Sequence, residues 1–242
     1  MTNQFEETMY IDEISINNKR VSFITKCVAL LGTFLSTSSY CVNASELTLN
    51  VVTPSGSPAT DIVSFIRPTK GINGLPLNDV PLYIGQQDKK FAPYITVMQK
   101  GQSINFVNHD DITHHIYSVS GENRFEFKIK AGGEITTQPL QSAEEVAMGC
   151  NIHDWMSGYV LVVDTPYFGK TNEDGQITFD LPETGEYELS LWHPQLDVTN
   201  NRIKQLLNVT QANVNISISL PQNLLPIPEQ VGQEDFDFLD EY

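Results

Sequence analysis

The sequence predicts an all-β protein built from β-sandwiches, with no substantial helix. Short segments in which apolar and polar residues alternate recur along most of the chain, as in half-buried strands. Turn-forming residues separate these segments, and the chain contains 15 Gly and 13 Pro. No stretch of twelve residues shows a helical period, so a sandwich is the simplest fold for this series of strands.

The predicted strands fall into three groups along the chain. A hairpin-like pair at 46–52 and 61–67 precedes a loop rich in Gly and Pro at 68–81. The central group comprises 82–84, 94–98, 103–107, 115–119, 125–129, 135–138, 145–149 and 158–163. After Pro166 the strands 176–179, 187–192, 203–209 and 214–220 predict a second small β unit.

Residues 1–44 are predicted to be a signal peptide for export to the periplasm. Lys19-Arg20 precedes the apolar stretch 27–35, and Val42-Asn43-Ala44 fits the small-x-small cleavage rule. The mature chain would begin at Ser45 and have no attachment to the membrane. An uncleaved anchor is the alternative, although the apolar run is short for a bilayer.

The chain is strongly acidic, with a formal net charge of −16. This charge argues against nucleic acid or an anionic membrane as a partner and favours a cationic one. The last segment, 222–242, combines acidic and aromatic residues and is predicted to be a disordered acidic tail.

Cys150 is predicted to be the only thiol of the mature protein, because Cys27 and Cys41 leave with the signal peptide. His153 and Met156 follow it at intervals of three residues. Thiolate, imidazole and a weak axial thioether are the donors of a blue-copper electron-transfer centre, provided that a second imidazole joins them. His114 or His115 can supply it, and we call residues 149–158 the ligand loop.

Other interpretations of these residues compete with copper. Cys150, His114, His153 and Asp154 could form a zinc site, although Met is a poor zinc ligand. Cys150 could also be a nucleophile, but His153 on the same turn is an awkward general base. Met156 alone is more often core filler. The remaining candidates have structural interpretations: His109 as a solvated turn residue, His193 as the hydrogen-bonded end of a strand, and Trp155 as either core or an exposed ring.

The ligand loop resembles that of the cupredoxins, in the short amicyanin-type pattern Cys-x-x-His-x-x-Met. Asn108 and Ile116 also match the way these proteins introduce their first histidine, which implies His114 as the ligand. The wider stretch, roughly 80–168, is similar to periplasmic cupredoxin-like proteins often labelled methylamine utilization proteins. The resemblance implies a Greek-key β-sandwich that binds one copper ion, cycling between Cu(II) and Cu(I), through His114, Cys150, His153 and Met156.

Two residues depart from the family pattern. His115 stands where members usually carry an Asn whose amide supports the thiolate and whose side chain ties two loops. Asp154 stands where Pro is frequent, and an anion beside the metal favours Cu(II) and lowers the reduction potential. We therefore expect an Asp154→Asn variant to have a higher potential by voltammetry than the wild type.

The flanking strands resemble another family, the carboxypeptidase regulatory-like β-sandwich, which is Ig- or transthyretin-like. Its opening strand matches 47–58, and its later half matches 171–179 and 181–189. We therefore predict a discontinuous domain at 45–75 and 166–221, into which a copper-binding domain at 76–165 is inserted.

The sequence thus predicts a carrier of single electrons rather than an enzyme, with a transient redox partner such as a basic cytochrome. Two rival functions remain at this point. One is a periplasmic copper-handling protein with no redox partner, and the other is a metal-free binding or adhesion module.

Overall fold

The computed structural model describes residues 45–70, 76–77 and 80–231, all of which belong to one compact unit. The predicted signal peptide and residues 232–242 of the predicted acidic tail lie outside the described residues. Among those described, none forms a helix that could cross a membrane.

The described chain is all-β, which confirms the predicted fold class. It contains no α-helix, and Thr199–Asn201 forms one short 3₁₀ turn. The strands in chain order are β1 Ser45–Val52, β2 Val63–Pro68, β3 Leu82–Gln87, β4 Lys90–Ala92, β5 Ile95–Gln99, β6 Ile104–Asn108, β7 His114–Ser118, β8 Phe125–Ile129, β9 Glu134–Thr136, β10 Glu145–Cys150, β11 Ser157–Val163, β12 Phe168–Lys170, β13 Gln176–Leu181, β14 Gly185–Trp192, β15 Arg202–Val209 and β16 Asn213–Ser219.

The central strands form one sandwich. Its five-stranded sheet has the order β5-β11-β10-β7-β8, and its four-stranded sheet has the order β4-β3-β6-β9. Alternate residues point inward because successive side chains of a strand leave on opposite faces; in β6, for example, burial alternates along Ile104–Asn108. The core between the sheets contains Ile84, Phe106, Ile116 and Val160, all without solvent exposure.

The outer strands form a second sandwich, with sheets β13-β1-β16 and β12-β2-β14-β15. Strand β1 pairs antiparallel with β13, Leu47 lying opposite Phe179, and parallel with β16. Strands before residue 70 therefore share sheets with strands after residue 168. The domain boundaries and the family resemblance of this sandwich stay predictions.

The two sandwiches meet in a buried apolar cluster. Phe65 and Trp192 from the outer sandwich pack there with Leu161 and Val163 of β11, and all four are at most 1% exposed. The indole Nε1 of Trp192 donates a hydrogen bond to Glu145 Oε2 on β10, at 3.1 Å. This contact links the outer sandwich directly to the strand that ends at Cys150.

His193 follows the last residue of β14 and is buried, with 3% exposure. Its Nδ1 accepts a hydrogen bond from the Gln195 backbone N–H at 3.1 Å. Burial, which disfavours the charged imidazolium, lowers the pKa of His193 to about 4. The imidazole is therefore neutral in the folded protein at pH values where it is already protonated in the unfolded chain.

This difference predicts a measurable dependence of stability on pH. Because the folded pKa lies below the unfolded one, the contribution is fully present above about pH 6.5 and is lost as the pH falls towards 4. We expect the free energy of unfolding of the wild type to fall by roughly 2–4 kcal/mol more over this range than that of His193→Gln. Denaturant titrations at several pH values would measure it, and parallel curves for the two proteins would contradict it.

Candidate metal centre

Two paired strands and one loop bring the candidate donors together. His114 opens β7, and Cys150 ends β10, which pairs antiparallel with β7. Cys150 lies opposite Ile116 in this pair. His114 is two residues from Ile116 on the same strand, so its side chain points to the same inward face as those of Ile116 and Cys150. His153 lies in the short connection from β10 to β11, at the same end of the sheet.

The three donor atoms converge to within 4.8 Å of one another, and all three residues are buried. Cys150 Sγ lies 3.7 Å from His114 Nδ1 and 3.7 Å from His153 Nδ1. A sulfur and a nitrogen bound to one metal at about 2.3 and about 2.0 Å, about 120° apart, lie about 3.7 Å from each other. Both sulfur–nitrogen distances therefore fit donors to a single metal ion and are compatible with copper.

Met156 is buried, with 1% exposure, and its backbone N–H donates to the His153 carbonyl at 3.0 Å. Met156 and Cys150 both line one surface cleft. Asp154 is exposed, and the cluster of His, Cys and carboxylate donors does not include it. Among the described residues, the zinc interpretation therefore lacks its fourth ligand.

The surroundings of Cys150 favour the thiolate. Burial alone raises the pKa of the Cys150 thiol, but hydrogen bonds from His114 and from the backbone amides of Ile152, His115 and His153 outweigh it and lower that pKa. A thiol must lose its proton before it can bind a metal. The fold therefore prepares the sulfur for coordination.

The two imidazoles differ in their protonation. Burial lowers the pKa of His114, but its hydrogen bonds to Cys150 and Asp110 outweigh burial and raise that pKa. A metal ion that binds both His114 Nδ1 and Cys150 Sγ must displace the proton of the hydrogen bond between them. Burial lowers the pKa of His153, and the nearby His114 and Lys89 lower it further. His153 therefore offers a neutral nitrogen.

Asp110 orients His114, and sequence reasoning missed it. Its Oδ2 lies 2.7 Å from His114 Nε2, the ring nitrogen that faces away from Cys150. The carboxylate also accepts hydrogen bonds from the backbone amides of Asp88 at 2.7 Å and Lys89 at 3.0 Å. Both of these residues have a positive φ, in the left-handed backbone conformation. A carboxylate on the outer nitrogen of a ligating histidine fixes its tautomer and orientation. The only sequence signal was an Asp four residues before His114.

Asn108 holds the turn that presents Asp110. Its Nδ2 donates to the carbonyls of Ile112, Ile129 and Lys130, at 2.7 to 3.2 Å. Its Oδ1 accepts the backbone N–H of Asp110 at 3.0 Å. Asn108 is buried, so these bonds replace the water that its amide loses.

We predict that Asp110→Asn weakens metal binding by about 10- to 100-fold, the range for loss of a partner that orients a ligand. The amide lacks the negative charge that now faces His114 Nε2. A competitive Cu(II) titration measures the affinity. Asp111→Asn is the matched control, because it removes the same charge from the exposed neighbouring residue. Equal affinities for the two variants would contradict the prediction.

His115 points away from the cluster and ties β7 to the ligand loop. Its Nε2 pairs with Glu126 Oε1 at 2.8 Å, and its Nδ1 lies 3.3 Å from Asn151 Nδ2. The His115 carbonyl also accepts the Asn151 backbone N–H at 2.9 Å. The His115 imidazole thus makes the cross-loop contact that the resemblance assigns to an Asn. The backbone amide of His115 is one of those that hydrogen-bond to the Cys150 sulfur.

Trp155 and Ile152 flank His153 at the surface. The Trp155 ring is half-buried, and its centroid lies 5.3 Å from that of His153. Ile152 is 51% exposed, while His153 itself is 7% exposed. Trp155, which the sequence left as either core or an exposed ring, is therefore a partly exposed ring beside the candidate ligand His153.

The fold and site define an all-β sandwich protein with a buried His–Cys–His cluster compatible with copper. No protein-family model matches the chain, and no curated protein matches it in sequence. Among solved structures, the chain is similar over part of its length to several copper proteins.

A Cu-containing nitrite reductase from Thermus scotoductus SA-01 shares 20% identity at a TM-score of 0.34, over 40% of this chain and 25% of that one. This chain thus spans about a quarter of that enzyme. A purple cupredoxin from Nitrosopumilus maritimus shares 17% identity at a TM-score of 0.30, over 34% of this chain and 99% of that one. An oxidized amicyanin variant shares 16% identity at a TM-score of 0.32, over 41% and 91%.

Proposed function

We propose that this protein is a periplasmic carrier of single electrons that holds one copper ion. His114, Cys150 and His153 would bind the ion, with Met156 as a weak axial ligand. The observation that supports this most directly is the convergence of one thiol and two imidazoles within 4.8 Å, all from buried residues. This His₂Cys set with a nearby Met is the donor set of blue-copper electron-transfer sites.

Bound copper would supply one-electron redox chemistry, and the fold would limit the rearrangement that accompanies it. His114 and Cys150 lie on paired strands, and their positions are fixed further by Asp110 and by the amides around the sulfur. Ligands held this firmly keep similar positions in both oxidation states. Small rearrangement favours fast transfer, which is the property that a carrier needs.

His153 would provide the route to the partner. It is the ligand nearest the surface, and the exposed Ile152 and half-buried Trp155 surround its edge. A small apolar patch of this kind suits the weak, short-lived docking of redox partners. The charge of −16 favours a cationic partner, for example a basic cytochrome.

The proposal is tested by adding Cu(II) to the purified mature protein. We expect an intense thiolate-to-copper absorption band that saturates at one ion per chain and is absent in Cys150→Ser. A wild type that binds no copper, or binds it without this band, would overturn the proposal. Reversible voltammetry with fast electron exchange separates a carrier from a copper store, because a store has no need of a rigid site.

A further inference from the structure

The chain after the last strand crosses from the outer sandwich to the ligand loop. Leu220 N–H donates to the Val52 carbonyl at 2.8 Å, and Leu225 N–H donates to the Gln195 carbonyl at 2.9 Å. Leu224 packs against the core of the outer sandwich. Leu225 and Ile227 then line a cavity together with Tyr94 and Ile95, which belong to the central region of the chain. We call residues 221–231 the C-terminal strap.

Gln230 of the strap contacts Ser157. Gln230 Oε1 accepts the Ser157 backbone N–H at 3.1 Å, and Gln230 Nε2 donates to Ser157 Oγ at 3.0 Å. A third bond, from Gln230 Nε2 to the Pro228 carbonyl at 3.1 Å, fixes the orientation of the amide. Gln230 is half-buried within the otherwise exposed stretch 225–231, so this contact anchors that stretch beyond the backbone bond of Leu225.

Ser157 adjoins both sulfur residues of the candidate site. It directly follows Met156, and in the antiparallel pair of β10 and β11 it lies opposite Gly149, which directly precedes Cys150. Ser157 is therefore one peptide from Met156, and it is one cross-strand pairing and one peptide from Cys150. A change in the position of Ser157 would displace the Met156 backbone first, because that residue lies in a turn closed by a single bond to His153.

We propose that Gln230 is a positioning residue for the metal site. The C-terminal strap brings this residue from the outer sandwich to the site. This inference rests on the proposed function. The amide clamp holds Ser157 and thereby limits the movement of Met156, which would be the weak ligand that tunes a copper site of this kind. The outer sandwich and its strap thus set the geometry of a site that they do not themselves line.

The test uses Gln230→Ala in the full chain, with Gln222→Ala as the matched control. Gln222 lies in the same strap but donates to the Asp197 carbonyl instead. In the metal-free protein, we expect hydrogen exchange of the Ser157 amide to accelerate roughly five- to tenfold in Gln230→Ala, as for loss of one hydrogen bond. Gln230→Glu should keep exchange slow, because a carboxylate accepts from both the N–H and the hydroxyl.

In the copper-loaded protein, we expect Gln230→Ala to change the relative intensities of the visible bands and to slow electron self-exchange. Gln222→Ala should change neither. Unchanged Ser157 exchange, or faster exchange with an unchanged spectrum and self-exchange rate, would overturn the inference. A wild type without the thiolate-to-copper band would overturn the proposed function instead, and the metal-free exchange measurement would still decide whether the clamp exists.

Discussion

His114→Gln should lower the affinity for copper by more than about 100-fold, beyond the loss expected from removing an orienting partner. The variant lacks the Nδ1 that lies 3.7 Å from the Cys150 sulfur, and it also leaves the Asp110 carboxylate without its imidazole. Loss of one of two nitrogen donors should also abolish the intense visible band. Copper titration followed by absorption and by electron paramagnetic resonance measures both effects.

His115→Gln is the matched control, because it makes the same change one residue along the strand. Successive side chains of β7 point to opposite faces, and His115 faces Glu126 and Asn151. We expect this variant to keep the visible band with an affinity within a few-fold of the wild type. A larger loss in His115→Gln than in His114→Gln would refute the assignment of His114 as the ligand.

Trp192→Ala should destabilise the whole described unit by about 3–5 kcal/mol, the usual cost of removing a large buried aromatic side chain. Trp192 has no solvent exposure and lies in the cluster where the two sandwiches meet. The change also removes the donor to Glu145. Because both sandwiches contribute to this cluster, we expect them to unfold in one transition in the wild type. Denaturant unfolding followed by fluorescence and circular dichroism measures both quantities.

Trp155→Ala removes the same side chain from a half-exposed position beside His153. It should cost less than about 1 kcal/mol, since surface substitutions away from special contacts change stability little. A loss in Trp192→Ala as small as that expected for Trp155→Ala, below about 1 kcal/mol, would show that the junction between the sandwiches contributes little. Two separate transitions in the wild type would contradict the shared core.

Local patterns in the sequence predicted the strands well, because alternation of apolar and polar residues reflects which face of a strand is buried. The strand predicted at 103–107 is observed as Ile104–Asn108, and that at 158–163 as Ser157–Val163. Periodicity does not report pairing, however. The resemblance of the flanks implied that the strand at 46–52 shares a domain with strands after residue 170, and the assembled sheets show that β1 joins β13 and β16.

The same distinction applies to the candidate site. Cys150, His153 and Met156 could be proposed from the sequence because all three lie in one loop and their spacing is itself the signal. The resemblance to a known pattern favoured His114, whereas the residues alone left His114 and His115 open. Only the pairing of β7 with β10 showed which of the two faces the thiol.

The contacts that orient the site were not predictable, because each joins residues that are distant in the chain or have common side chains. Asp110 reaches His114 only because the backbone amides of Asp88 and Lys89 hold its carboxylate there. Gln230 reaches Ser157 only because the strap follows the surface of both sandwiches.

The sequence by itself determined the all-β class and the spacing of the candidate donors in one loop, since both depend on order along the chain. Only the tertiary structure decided which histidine lies beside these candidates and which residues hold them in place. The physical reason is that a metal site requires convergence in space, and strand pairing, not spacing, produces that convergence.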